Sequence, residues 1–251
     1  MEKVNNKDFI IYGKQPVLEA LRSDYRIKRI ILAKEIASKE LQPILKLCRE
    51  KNIAVTYEKK SNLQRHCGPA LHQGIIAYID DFIYLSDKAI LEMIRLAKTP
   101  FILILDQIQD PHNLGAIIRT AEVAGATAII LPEKGSAAIT PTVAKTSAGA
   151  IFHCSVHRTP DLPNFIQQIQ VEHIHVVAMA PNREKTIFDA DLKIPIALII
   201  GSEGKGVRKN IENLCDEAIS IPGFGRLDSL NASVSSAIVL FEVVRQRKYS
   251  L

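Results

Sequence analysis

Three short polar segments beyond residue 100 carry the residue types that could do chemistry, and each lies at the end of an expected strand. The first, residues 106–119, reads DQIQDPHNLGAIIR and follows FILIL. Pro111 fixes a turn, Asn113 reads as a helix N-cap, and Gly115 permits close approach at the first helical turn. Arg119 then falls inside a helix among Ile117, Ile118 and Ala121, so its guanidinium needs an anionic partner or an exit to water. A capped helix with a snorkelling arginine would explain this segment taken alone. The second, residues 201–206, reads GSEGKG and follows IALII. Three glycines in six residues demand unusual dihedrals or close backbone contact. The spacing matches neither the phosphate-binding P-loop nor the dinucleotide fingerprint. Glu203 sits among the glycines, able to accept hydrogen bonds from backbone amides or a bound hydroxyl; a plain tight turn is the alternative. The third, residues 221–233, reads IPGFGRLDSLNAS. Pro222, Gly223 and Gly225 shape a loop, and Asp228, Ser229 and Asn231 cluster at the mouth of the last helix, more polar groups than capping alone requires.

The elements that must position these segments follow from hydrophobic periodicity. Strands are expected at 101–105, 127–131, 174–179, 195–200 and 217–221, nearly continuous in apolar character, as in a parallel sheet covered on both faces. Such sheets bind ligands beyond the carboxyl ends of their strands, where all three segments fall. A final helix is expected from about 231 to 248, with Val234, Ile238, Phe241 and Val244 on one stripe. The first third reads as a compact α/β unit: a helix over 15–22, strands at 29–33, 53–57 and 74–79, and helices between them. The expected division is a unit over 1–80, a linker and joining helix over 81–98, and a larger domain over 99–251.

Composition fits a globular chain: 251 residues, 47% hydrophobic and 24% charged, too apolar for disorder. The net charge of +5 is unevenly placed. Residues 1–80 hold 15 Lys or Arg against 9 Asp or Glu, whereas residues 81–251 hold 17 against 18. A basic module joined to a near-neutral one suggests that the first grips a polyanion and the second does something else. The four cysteines, Cys48, Cys67, Cys154 and Cys215, show no metal or redox spacing and read as small hydrophobes in a reducing cytosol. No apolar run is long enough to cross a bilayer, and the N-terminus lacks a secretory pattern. The expectation is a cytoplasmic protein with no membrane and no metal.

Taken together, DPHNLGAIIRTAEVAG, IALIIGSEGKGV and ISIPGFGRLDSLNASVSSAI resemble the three motifs of the SpoU class of RNA 2′-O-ribose methyltransferases. At the front, IYGKQPVLEAL and HQGIIA resemble the RNA-binding domain of the two-domain members, and the whole chain is most similar to those acting on a guanosine of 23S rRNA. The resemblance implies a knotted parallel-sheet methyltransferase domain at the C-terminus. It also implies a smaller N-terminal α/β RNA-binding domain similar to a ribosomal-protein fold. S-adenosylmethionine is the implied methyl donor, RNA the implied substrate (rRNA first, tRNA as the alternative), and a homodimer the implied assembly. A non-catalytic RNA-binding protein of the same fold would predict damaged motif residues, and none is visible.

Residue by residue, the resemblance places Gly201, Ile221 and Leu230 against the cofactor, with Met179 beside the adenosine, where members of the class often carry threonine. It makes Asn113, Arg119, Glu203, Ser229 and Asn231 the catalytic set. The reaction needs a ribose hydroxyl held in line with the sulfonium methyl and a route for its proton. The class assigns that proton to the arginine. A guanidinium, with a pKa above ~12, instead suits holding a phosphate or the developing alkoxide.

Overall fold

The computed structural model describes residues 8–69, 71–226 and 229–249. Two compact units emerge. One takes the chain up to Ile83 together with Ile139–His153, and the other takes Tyr84–Ala138 and Cys154–Leu251.

In the first unit, β1 (Phe9–Tyr12), α1 (Lys14–Arg22), β2 (Ile27–Ala33), α2 (Ser38–Glu50), β3 (Ala54–Glu58), α3 (Lys60–Cys67) and β4 (Ile75–Ile79) follow in order. They build a four-stranded sheet ordered β1-β4-β2-β3, in which only β2 and β3 run parallel. β4 lies inside the sheet and all five of its residues are buried, which is why IIAYI carries no polar alternation. On α1, Val17, Ala20 and Leu21 face the core at helical spacing. Tyr12, Ile31, Ala33, Leu63, Ile76 and Tyr78 form an apolar cluster of this unit. At its margin the Arg29 guanidinium lies 4.3 Å from the centre of the Tyr78 ring. β1 was not expected from sequence, because only four residues pair.

The second unit opens with α4 (Asp87–Leu96), β5 (Phe101–Leu105), α5 (Pro111–Val123) and β6 (Ala128–Pro132). The joining helix expected over 81–98 is α4, capped by Ser86, and its Ile90 and Ile94 are buried in the core of this unit. After β6 the chain makes an excursion, α6 (Pro141–Thr146) and a 3₁₀ turn (Ala150–His153), which belongs by contact to the first unit. There Lys145 Nζ donates to Gln73 Oε1 at 2.8 Å, His153 Nε2 lies 3.0 Å from Glu19 Oε2, and Phe152 meets the edge of Tyr25 at 5.1 Å. The chain then returns through β7 (Val156–Thr159), α7 (Leu162–Val171), β8 (His175–Met179), β9 (Ile196–Ile200), α8 (Lys209–Glu212), β10 (Glu217–Ile219) and α9 (Ala232–Lys248).

Six strands pair, all in parallel, in the order β10-β8-β9-β5-β6-β7. β5, β6 and β9 are buried throughout, as strands covered on both faces must be. The strand order reverses between β5 and β9. Leu105 pairs with Ile200 there, so the polar segments after these two strands leave the sheet side by side. A buried ion pair ties them together. Asp106 has no exposed surface and pairs with the Arg208 guanidinium, Oδ1 to Nη2 at 2.7 Å. It also accepts the Arg208 backbone N–H at 3.0 Å.

One sequence expectation needs correction. Asn113 is not the N-cap of α5. Asp110 is, accepting from the His112 amide at 3.0 Å, because Pro111 occupies the first helical position and the cap must precede it. The apolar stripe on α9 faces outward: Val234, Ile238 and Phe241 are exposed and Val244 is half-buried, while the core is met by Ala232, Ser236, Val239, Leu240 and Val243.

Removing one partner of a desolvated ion pair leaves the other uncompensated. We expect Asp106→Asn to lower unfolding stability by roughly 2–4 kcal/mol, less than for a wholly buried pair because Arg208 keeps some solvent contact. A fall in the urea midpoint at unchanged slope is the measurement that checks it.

Candidate active site

The segment after β9 turns so sharply that Gly201 admits no side chain. A β-carbon there would fall 2.0 Å from the Gly206 carbonyl carbon and 2.2 Å from the Val207 nitrogen. Ser202 and Gly206 exchange backbone hydrogen bonds at 3.2 and 2.9 Å, closing a small loop with Glu203 at its tip. Arg208 then fastens the loop to Asp106 at the end of β5. The position of Glu203 is therefore set by backbone contacts and one ion pair, not by the reach of its own side chain.

Glu203 Oε1 gathers three donors from two helix starts. Asn113 Nδ2, in the first turn of α5, donates to it at 2.9 Å. Asn231 Nδ2 donates as well, and the Ala232 amide lies at 3.3 Å. Asn231 Nδ2 is also 3.1 Å from Asn113 Oδ1, which closes the triangle. The other end of the Asn231 amide caps α9, its Oδ1 accepting from the Ser233 and Val234 amides at 2.9 and 3.3 Å. One asparagine thus starts the last helix and holds the carboxylate. Oε2 of Glu203 has no hydrogen bond among the described residues.

Beside this cluster lies a cavity of about 660 Å³, at the carboxyl ends of β8, β9 and β10. Met179, Gly201, Glu203, Ile221, Ser229 and Leu230 all line it, so six of the nine residues singled out from sequence share one hollow. Asn113 and Asn231 join it through Glu203. The walls are mostly backbone and aliphatic side chains, which suits a flat, amphipathic nucleoside better than a metal ion. No group of three or more His, Cys, Asp or Glu that could hold a metal occurs among the described residues.

Arg119 stands apart. It lies on an exposed face of α5, six residues or roughly 9 Å along the axis from Asn113. It makes no ion pair or hydrogen bond among the described residues, so of the two exits its sequence context allowed it takes water. Ser229 is exposed and likewise without a hydrogen bond, while Asp228 lies outside the described residues. The sequence reading missed Arg208: nothing local marks it, and its partner is 102 positions away.

The thiols offer no nucleophile. All four cysteines are free, and burial pushes Cys154 and Cys215 up to about 12. A second hollow, about 540 Å³, lies along α2 and β3 in the first unit, but its lining contains no carboxylate, histidine or hydroxyl.

A model described as the SpoU rRNA Methylase family matches residues 100–241, and one described as RNA 2′-O ribose methyltransferase substrate binding matches residues 10–85. The chain is 36% identical over 239 residues to the 23S rRNA (guanosine-2′-O-)-methyltransferase RlmB of Haemophilus influenzae, covering 94% of this chain and 97% of that protein. It is 34% identical over 241 residues to YacO of Bacillus subtilis, named provisionally as a TrmH family tRNA/rRNA methyltransferase, with 96% of each chain covered. Its fold is similar to that of the SpoU methyltransferase AviRb from Streptomyces viridochromogenes, solved with AdoMet. The TM-score is 0.81 at 23% identity, covering 97% of this chain and 92% of that one.

Asn231→Asp preserves the cap but replaces the Nδ2 donor with an oxygen that repels Glu203. Asn231→Ala removes both. We expect the alanine variant to lose about 1 kcal/mol, or roughly 2–4 °C in melting temperature. The aspartate variant should keep α9 by circular dichroism yet melt lower as pH rises through the carboxylate range. Equal melting of aspartate variant and wild type at pH 4 and pH 8 would show that the triangle is not coupled.

Proposed function

The chain belongs to the SpoU rRNA methylase family, an S-adenosylmethionine-dependent RNA 2′-O-methyltransferase by that membership, and we propose that its substrate is a guanosine ribose of 23S rRNA. The observation that carries the chemical reading is the Asn113–Glu203–Asn231 triangle beside an apolar cavity at the strand ends. Transfer RNA is the second reading, favoured by the broader tRNA/rRNA name of YacO.

When bound, S-adenosylmethionine supplies a sulfonium-activated methyl group. The residues suited to hold it are Gly201, Ile221, Leu230 and Met179. They offer backbone groups and aliphatic surface at one wall, and Gly201 lets the loop that forms it close against Gly206 and Val207. Asn113, Glu203 and Asn231 orient: one carboxylate oxygen is saturated by amide donors, and the other is left for a substrate hydroxyl or for the positive charge of the donor. Ser229, which lines the same cavity with Ser202 and Ser235, is the hydroxyl we assign to the ribose. Arg119, exposed and without an ion pair among the described residues, suits a phosphate or the alkoxide that develops as the ribose hydroxyl loses its proton. Water or the substrate phosphate takes that proton, because a guanidinium does not.

We assign the RNA substrate-binding role to residues 1–80, the joint to 81–98 and the methyltransferase role to 99–251. The excess of six positive charges in the first 80 residues supports the first assignment. The knot implied by the family belongs to the same reading; in its support, β10 lies outside β8, so the chain leaving β9 must pass its neighbour to reach the sheet edge. A homodimer is supported by α9, which buries Val239, Leu240 and Val243 on one side yet exposes Val234, Ile238 and Phe241 on another. Among the described residues no helix is long and apolar enough to cross a membrane, and we place the enzyme with its RNA in the cytoplasm.

Incubation with tritiated S-adenosylmethionine and unmodified rRNA or tRNA tests the substrate. Alkali-resistant label in rRNA alone is expected, and label confined to tRNA would replace the substrate. Arg119→Lys keeps the charge but loses the planar fork; turnover is expected to fall on the order of 100-fold at unchanged cofactor affinity, and near-normal turnover would remove Arg119 from the chemistry. Phe241→Glu is expected to shift the protein to a monomer in sedimentation.

A further inference from the structure

Phe224 is the most exposed large apolar side chain among those described, at 98%. It is also the one aromatic residue among those lining the cavity, and the cationic Arg226 lines the same rim two residues on. A phenylalanine left fully in water forgoes roughly 1.5–3 kcal/mol of burial, so its place at the mouth of a site invites a partner. Its flanks are unusual in a second way. Neither Gly223 nor Gly225 has left-handed backbone, and a β-carbon on either would meet nothing within 4 Å. Close packing and turn geometry therefore do not account for these glycines. What remains is backbone freedom on both sides of one aromatic ring.

We propose that Phe224 is a hinged stacking platform that takes the base of the target nucleotide, with Arg226 meeting an adjacent phosphate. This rests on the reading of the site as an RNA 2′-O-methyltransferase and adds the element that holds the base while its ribose faces Glu203. Any nucleobase has a π face to offer, and single-stranded RNA is commonly held by aromatic stacking with a cation alongside. Stacking fixes the base plane but leaves its edge unread, so Phe224 contributes affinity and orientation; base identity is read elsewhere.

The sequence contains no tryptophan, so Phe224→Trp in the full chain provides a single fluorophore at this position. Addition of 23S rRNA transcribed in vitro is expected to quench its emission, and S-adenosylmethionine alone is expected to leave it unchanged. In parallel, Phe224→Ala and Phe224→Leu should lower kcat/KM for RNA by roughly 5- to 150-fold, the range that base–aromatic stacking supports. Phe224→Tyr should retain near-normal values, and cofactor affinity by calorimetry should hold in all three. Normal activity of the leucine variant would overturn stacking. Quenching by S-adenosylmethionine alone would make the ring a cofactor cover, and an emission change with protein concentration alone would make it a contact between subunits; either overturns the proposal. RNA that binds without quenching overturns it too, while leaving the methyltransferase reading intact. A wild type that binds no RNA in filter assays sinks both, and its failure to label RNA distinguishes that case.

Discussion

Asp106 has no surface open to water, and a carboxylate in that position must find its hydrogen bonds inside the protein. It finds them on Arg208, through both the guanidinium and the backbone N–H. The pair spans the point where the order of the parallel strands reverses, and so joins the loops leaving two neighbouring strands. Attraction alone is a poor reason to bury a charge, since an apolar pair of similar volume often does as well. Its use here is geometric: it fastens the loop after β9 to the end of β5, and Gly201 lets that loop close where any side chain would clash. The cavity wall and the placing of Glu203 both follow.

A second economy appears one layer out. Three donors, from residues at positions 113, 231 and 232, converge on a single oxygen of Glu203. Each of these bonds is made to a carboxylate, a stronger acceptor than a neutral oxygen, and their gathering on Oε1 leaves the second oxygen for a ligand. Asn231 also caps α9, so one side chain serves both the start of the helix and the placing of the carboxylate. Secondary structure and site are here made of the same atoms.

Much of this was legible in the residues. Runs such as FILIL and IALII could only be buried strands, and the polar segments behind them fell at the strand ends where they were expected. The capping role of Asn231 could be read from its place ahead of an apolar helix. The cap of α5 was misread, although its signal was present: a proline at the first helical position makes the residue before it the cap. Other features had no local signal. Arg208 looks like any loop arginine until Asp106, 102 residues earlier, is found beside it. The exposed stripe on α9 has the same spacing as a core stripe, since periodicity reports that a face is apolar and not what covers it. Arg119, the residue to which the resemblance assigns the most chemistry, lies exposed and without an ion pair among the described residues.

The excursion between β6 and β7 bears on how the chain is made. Residues 139–153 emerge from the ribosome about 60 residues after β4, yet they belong with the sheet that β4 completes. The amino-terminal unit therefore cannot reach its final packing as soon as it is synthesised. It waits for a segment that arrives only after the first two strands of the second sheet. Vectorial folding, in which each domain closes before the next begins, is thereby replaced by an order in which the first unit is completed only after the second has begun.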